Sequence, residues 1–526
     1  MFVSAAVFVG ASRRSVRAAV LGGLTAALVA PGATAAAPPE SGRLAQAPAA
    51  INWRPCGAGL DCARVSVPLD WRRPAGRKIS LALIRHVGSH AEQRIGSLFL
   101  NPGGPGDSGV AAVRERGGSL DALTGGRFDV VGWDVRGSGA SAAVSCFGSR
   151  RERARFWNAL PVPSTAPEER RYLAKTMALA RRCGARNGPL LRHLSTADTV
   201  RDLDYLRGLV GDAQLTFLGE SYGTMIGQTY ANMFPARVRA MALDGPSDTV
   251  AAAAGLSAVL ADGLRDADRV FDAFLAQCQR AGPARCALAR HGSVAGRVNR
   301  LLRRLRRGSI PAPSAKPPGR LTYGEALTVI KLQGLSRPEV WPQAARLLDA
   351  AASGDGSGLL SIARQASSDQ FRALFEQGVA LLCADSPARQ SARDWPGVVR
   401  RLEAVSRIGG RVFGWLQGAP CASWPARSAE RYTGPWNATT PHPILIIGTT
   451  LDPNTPLDNA RTAERRLGNA ILLTHDGFGH LSSADPSACV AQALSTYLVN
   501  LTTPARGAVC RSDRLPFDPR FGTPRS

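Results

Sequence analysis

Residues 63–86, "ARVSVPLDWRRPAGRKISLALIRH", alternate apolar and polar positions on either side of a Pro-Ala-Gly turn, which predicts a β-hairpin. The pattern then changes to short, wholly apolar runs that end in glycine: "IGSLFLNPGGPGDSG" at 95–109 and "RFDVVGWDVRGSGAS" at 127–141. In "LTFLGESYGTMIGQTYANMFP", 215–235, an apolar strand opens onto Ser221 and residues 222–234 carry a helical pattern; "VRAMALDGP" at 238–246 supplies another strand. Strands buried on both faces read as continuous apolar runs, so strands alternating with helices predict a mostly parallel sheet covered by helices, an α/β fold. From about residue 249 the pattern becomes helix after helix, with the proline-rich "GSIPAPSAKPPGR" at 308–320 expected as a loop between two of them. Sheet patterning returns with "PHPILIIGTTLDPNTP" at 441–456 and "NAILLTHDGFGHLSS" at 469–483, and a last helix follows in "DPSACVAQALSTYLVN". The helical block interrupts a sheet domain and is expected to form a lid.

Composition changes this picture mainly at the ends and in the expected compartment. A chain of 526 residues with 44% apolar and 20% charged residues suits one large domain with an insertion, or two domains. Arg13, Arg14 and Arg17 precede an acid-free apolar run and then small residues, the pattern of a signal peptide over 1–37 with cleavage near 35–37. The run is short for a membrane span; a retained single-helix anchor is the alternative, and "SRRSVRAAV" resembles a twin-arginine signal. Ten cysteines fit export, and proximity couples them as Cys56–Cys62, Cys146–Cys183, Cys278–Cys286, Cys383–Cys421 and Cys489–Cys510. A metal site is not expected, because no CxxC pair occurs and no histidine cluster accompanies the thiols.

The formal charge of +25 invites a nucleic-acid partner. Almost all of it is arginine spread along the chain, and the densest run, "RVNRLLRRLRRGS", has leucines at helical spacing and reads as a solvated helix face, so no nucleic acid is expected. Attraction to anionic envelope polymers is the remaining role for the charge.

The chemistry centres on "GESYG". Small residues at both ends allow a sharp strand-to-helix turn that lifts the Ser221 hydroxyl clear of the sheet. A serine hydroxyl needs a base within hydrogen-bond reach and a carboxylate to orient that base. Of seven histidines, His86 and His90 lie in the early hairpin, His193 and His291 in helical or connecting segments, and His442 at the wrong end of a strand. His475 suits a structural hydrogen bond, which leaves His480 as the base. Asp452, directly after "ILIIGTTL", is the expected acid, whereas Asp458 and Asp485 read as helix-capping or solvated groups. The order Ser221, Asp452, His480 is that of α/β-hydrolases. For the oxyanion, "NPGGPG" offers backbone N–H groups; Pro102 and Pro105 cannot donate, so Gly104 is expected to act with the N–H of Tyr222.

With "VPLDW", "LNPGGPGDSG", "DVRGSGAS", "GESYGT", "LLCADSP", "CASWP", "GTTLDPNTP" and "GFGH" together, the chain resembles the secreted tripeptidyl-aminopeptidase group of α/β-hydrolases, relatives of proline iminopeptidases. The resemblance implies a serine exopeptidase that releases short peptides from free N-termini, with the triad on Ser221, Asp452 and His480, a helical cap, and no metal or organic cofactor. It implies a hydrolase core over 38–248 and 436–526 and a cap over 249–435. Pro102 stands where proline iminopeptidases have the histidine of their His-Gly-Gly-Pro motif, which argues against strict single-proline release. Glu220 and Asp385 are candidates to bind a substrate's ammonium group, Glu220 having a structural hydrogen bond or tuning of His480 as alternatives. The same machinery also suits a carboxylesterase or lipase, and a rival of another class is a non-catalytic hydrolase fold that binds anionic polymers.

Overall fold

A computed structural model describes residues 51–157, 161–365, 368–386, 391–428 and 430–521; the expected leader 1–37 lies outside them. Ten strands form one sheet: β1 (Arg54–Gly57), β2 (Leu60–Pro68), β3 (Lys78–His86), β4 (Gly96–Asn101), β5 (Phe128–Trp133), β6 (Leu215–Glu220) and β7 (Val238–Asp244), then, beyond the two strands of a separate ribbon, β8 (Ile310–Ala312) and β9 (Gly319–Leu321), come β10 (Ile444–Leu451), β11 (Ala470–Phe478) and β12 (Val509–Arg511). The order is β1-β2-β3-β5-β4-β6-β7-β10-β11-β12. The hairpin edge from β1 through β5 pairs antiparallel, and every pair from β5–β4 onward is parallel.

All residues of β4, β5 and β6 are buried, because helices cover both faces of the parallel part. The side-chain alternation divides the core in two. Phe99, Val131, Phe217, Met241 and Ile446 point into the larger cluster, while Leu98, Leu100, Val130, Leu218, Ala242 and Ile447 point into the smaller one on the other face. Because β4, β6, β10 and β11 run the same way, the loops that follow them all leave the same edge of the sheet. Those four loops carry Gly104, Ser221, Asp452 and His480, and such an edge is where open parallel sheets gather their ligands.

Helix α1 (Gly109–Leu123) follows β4; α2 (Arg150–Trp157), α3 (Ala166–Asn187) and α4 (Thr196–Leu209) lie between β5 and β6; α5 (Tyr222–Met233) follows Ser221. Between β7 and β10 the chain is mainly helical, as its periodicity predicts. The helix Val294–Arg307 buries Val294, Val298, Leu301, Leu302 and Leu305 and exposes Arg300, Arg303, Arg304 and Arg307, the amphipathic face read from the arginine run.

Two features differ from expectation. The proline-rich 308–320 stretch is a two-stranded antiparallel ribbon, pairing Ile310 with Leu321 and Ala312 with Gly319. Proline is tolerated in such an edge pair, and Pro311 accepts a bond from Gly356 N, a partner 45 residues away that local pattern cannot reveal. The helical layer also draws on an earlier segment: α2 packs on the helix Asp369–Asp385, where Glu376 accepts from Arg153 Nε at 3.0 Å and from Trp157 Nε1 at 3.2 Å. The five cysteine couples form as expected, and the described residues contain no free cysteine. Among the described residues no helix is long and apolar enough to cross a membrane.

Candidate active site

Ser221 sits at the junction of β6 and α5 with φ 53° and ψ −118°, a conformation that L-residues seldom adopt and that costs about 1–3 kcal/mol. The surrounding backbone imposes it. Ser221 N donates to Asp244 O at 3.0 Å, and Thr224 N donates back to Ser221 O at 2.9 Å. A Cβ at Gly219 would lie 2.5 Å from Gly223 O, and one at Gly223 would lie 2.4 Å from Asn101 O. Both glycines of the pentapeptide are therefore required by space, and the turn they permit turns the serine out of the strand.

His480 Nε2 lies 2.9 Å from Ser221 Oγ, and His480 Nδ1 lies 3.0 Å from each oxygen of Asp452. With Nδ1 donating to the carboxylate, Nε2 is left to accept the serine proton. Asp452 is fully buried, and its carboxylate also accepts from Asn454 N (2.8 Å), Thr455 N (2.9 Å) and Thr455 Oγ1 (2.8 Å). Burial pushes this carboxyl up, but His480 and the loop N–H groups more than offset it, so Asp452 is held below its ordinary range. It is an ionised acceptor.

Two anchors fix the His480 loop. Its backbone N donates to Ser336 O at 2.9 Å, and Ser482 donates to Asp244 through N at 3.0 Å and Oγ at 2.7 Å. Burial raises Asp244 to about 7, and the Ser482 bonds counter it only in part.

The glycine loop after β4 lies against the elbow. Gly103 has φ +99°, and a Cβ there would stand 2.5 Å from Glu220 O, 2.9 Å from Ser221 Cβ and 3.0 Å from Tyr222 N. Gly103 N is occupied by Asn101 Oδ1 at 3.1 Å. Among the described residues neither Gly104 N nor Tyr222 N donates to a protein acceptor, so both are available to a bound group.

The two acid candidates separate. Glu220 is buried and its carboxylate is held in a two-pronged pair with Arg116 of α1, at 2.8 and 2.7 Å. Both of its oxygens are engaged by the guanidinium, which is the structural bond named above as one alternative for Glu220. Asp385 instead lines a cavity beside Tyr222 and Thr455, together with Met225, Leu256, Phe413 and Trp436. Its carboxylate accepts from Thr196 N at 3.1 Å and Thr196 Oγ1 at 2.5 Å, and Thr196 Oγ1 meets Tyr222 Oη at 2.7 Å. Asp458 is exposed and paired with Arg461, as a first-turn residue should be. Asp485 is buried instead, accepting from Phe478 N at 2.8 Å and from Ser512 Oγ, and so neither caps a helix nor meets solvent. His475 is buried with Nδ1 3.3 Å from Thr449 Oγ1, the structural bond expected of it.

Sequence reasoning passed over Thr455, Asp244 and Lys331. Thr455 had a legible signal, three residues after Asp452 in a "DPNTP" turn; Lys331 is a lone cation in the apolar run "LTVIKLQGL".

A serine hydroxyl, an imidazole and a buried carboxylate in hydrogen-bonded order, beside unengaged N–H groups, form an arrangement suited to acyl transfer through serine. Comparison with known proteins agrees. Residues 408–510 match the model of the family described as TAP-like protein. Over 487 residues the chain is 31% identical to serine protease Hip1 of Mycobacterium tuberculosis, covering 88% of this chain and 91% of that one. It is 30% identical over 493 residues to tripeptidyl aminopeptidase of Streptomyces lividans, covering 89% and 88%, and 31% identical over 480 residues to carboxylesterase B of Mycobacterium tuberculosis, covering 85% and 86%. Sheet, elbow and similarity over most of the chain together establish that the chain belongs to the tripeptidyl-aminopeptidase-like group of α/β-hydrolases and is a serine hydrolase.

Proposed function

We propose that the protein is an exported serine exopeptidase that cleaves peptide bonds near free N-termini and releases short peptides. The observation that carries this reading is the Ser221–His480–Asp452 hydrogen-bonded chain beside a cavity that holds the Asp385 carboxylate. His480 Nε2 takes the Ser221 proton as Oγ attacks the scissile carbonyl carbon, and Asp452 stabilises the imidazolium that forms. The Gly104 and Tyr222 N–H groups hold the oxyanion. His480 returns the proton to the leaving amine, and a water deprotonated by the same histidine hydrolyses the acyl-enzyme. Asp385 receives the substrate's N-terminal ammonium. The helical segment over 249–435 acts as a cap on the core of 38–248 and 436–526, which is supported by its residues Leu256, Leu260, Asp385 and Phe413 lining the cavity. Export is supported by five disulfides and by the leader pattern at 1–37.

A panel of tripeptide amides with free and acetylated N-termini, set against simple esters, tests the reading. Free tripeptides should be turned over with the highest kcat/KM and yield a tripeptide mass; faster cleavage of blocked peptides or esters favours the carboxylesterase reading that the third relative's name supports.

Two further results are expected at Asp385. Asp385→Asn should raise KM for free-amine peptides about 10- to 100-fold, the worth of a charged hydrogen bond, and leave ester KM unchanged. Burial lifts the Asp385 carboxyl to about 6, the Thr196 bonds drawing it partly back. Below that value it is protonated and loses the charge an ammonium requires. KM for free-amine peptides should therefore climb as pH falls from 7 to 5, and KM for esters should not.

A further inference from the structure

Among the described residues one buried lysine touches the acid loop of the site without belonging to the reacting chain. Lys331 is fully buried, in the widened helical turn Val329–Gly334 that continues the helix Tyr323–Thr328. Such turns are uncommon and gather at functional sites. The ammonium donates to Pro453 O at 2.9 Å and to Asn454 Oδ1, and lies 4.4 Å from the centre of the Phe413 ring. Burial lowers Lys331 to about 7, against the pull of Asp452, and in the protonated form two acceptors and a ring face take its three N–H bonds. The two carbonyls belong to the residues directly after Asp452, and their position decides where Asn454 N and Thr455 N meet the Asp452 carboxylate.

The same segment reaches the base as well. Ser336 Oγ accepts from Asn454 Nδ2 at 3.0 Å, and Ser336 O accepts from His480 N at 2.9 Å. Asn454 thus bridges Lys331 and Ser336, and one short stretch of the helical segment holds both the acid loop and the base loop. Space is kept for this contact: a Cβ at Gly409 would lie 3.1 Å from Lys331 Cε, and one at Gly479 would lie 2.9 Å from Ser336 O.

Resting on the serine-hydrolase mechanism above, we propose that Lys331 is a positioning residue which, with Ser336, clamps the Asp452 and His480 loops from the helical segment, so that the acid–base pair is assembled only while that segment is docked. Lys331 does not touch substrate. Removing it frees Pro453 O and Asn454 Oδ1 inside the protein, the loop turns toward other donors, and the Asp452–His480 contact loosens. A misplacement of about 1 Å in such a contact costs about 100-fold in rate.

The test uses the full chain with its disulfides. A fluorophosphonate probe labels Ser221 independently of peptide recognition, and a small ester gives kcat and KM separately. Lys331→Met and, as a milder variant, Asn454→Ala are each expected to lower the labelling rate and the ester kcat about 10- to 100-fold with KM within twofold, in protein whose circular dichroism is that of the wild type. Because both act through the same contact, the double variant should lose little more than the worse single one. If Lys331→Met does not fold, Asn454→Ala carries the test alone. Labelling and kcat within twofold of wild type, with only the melting temperature lowered, overturn the proposal and leave the mechanism standing. Additive losses in the double variant overturn it also. A wild type that the probe does not label refutes the serine mechanism itself, and the proposal with it.

Discussion

Ser221→Ala should reduce kcat on a free tripeptide amide by about 10⁵- to 10⁶-fold, the loss seen when the nucleophile of a Ser-His-Asp unit is removed. The size follows from the geometry. With Oγ gone, the nearest nucleophile is a water that no residue holds at the Oγ position 2.9 Å from His480 Nε2. What survives is substrate binding and oxyanion stabilisation, worth about 10³- to 10⁴-fold over water. Asp452→Asn should cost about 10⁴-fold by a different route: the amide can donate to Nδ1 and so stabilise the tautomer in which Nε2 carries the proton and cannot accept one. Combining it with Ser221→Ala should add almost nothing, because the two side chains act as one unit. Stability should hardly change in Ser221→Ala, since alanine must adopt the same φ of 53° and the helix that follows is unaltered. Single-turnover kinetics with active-site titration measure all of this, and more than about a hundredth of the wild-type rate in Ser221→Ala would remove Ser221 as the nucleophile.

The legible parts of this protein are those governed by neighbours in sequence. Strands buried on both faces must be apolar throughout, so β4 to β7, β10 and β11 stand out, and a parallel arrangement puts every loop at their carboxyl ends on one edge. The steric demand of the elbow falls on Gly219 and Gly223, within two residues of Ser221. What escaped notice depends on distant partners. Glu220 could be placed beside Ser221, but Arg116, which engages it, is 104 positions away. Asp385 meets Thr196 across 189 positions, and Lys331 meets Pro453 across 122. Asp485 shows the same limit in reverse. Its place just ahead of the last helix suggests a cap or a solvated group, and the contacts with Ser512 and Phe478 bury it. Periodicity reports which face of an element is covered, not which charge covers it.

Arg136, from the "DVRGSG" loop, tests the distinction between residues that hold the fold and residues that carry the reaction. Its guanidinium is fully buried and every one of its five N–H bonds is used: Nε and Nη2 donate to Asp202 at 2.7 and 2.6 Å, Nη1 to Leu69 O and His193 O at 3.0 Å each, and Nη2 to Pro68 O at 3.2 Å. Asp202 accepts also from Trp71 Nε1 at 3.0 Å. Burial works against the charge on Arg136, and Asp202 beside it more than offsets this, so the guanidinium remains charged. The pair joins the end of β2, the loop after β5 and helix α4, three segments with no other shared charge among these bonds. Asp202→Ala removes the carboxylate that guanidinium bonds to and should destabilise by about 3–5 kcal/mol, seen as a lower denaturation midpoint with the disulfides intact. Arg136→Met should cost as much or more, because it leaves Asp202 without its counter-charge and three carbonyls without their donor. Arg136→Met with Asp202→Leu should recover a large share of the loss, since a buried ion pair replaced by apolar groups of similar volume is often nearly neutral. In every one of these variants the folded fraction should label Ser221 at the wild-type rate. A slowed labelling rate in correctly folded Asp202→Ala would instead tie this ion pair to the acid–base machinery, against its position on the hairpin side of the sheet.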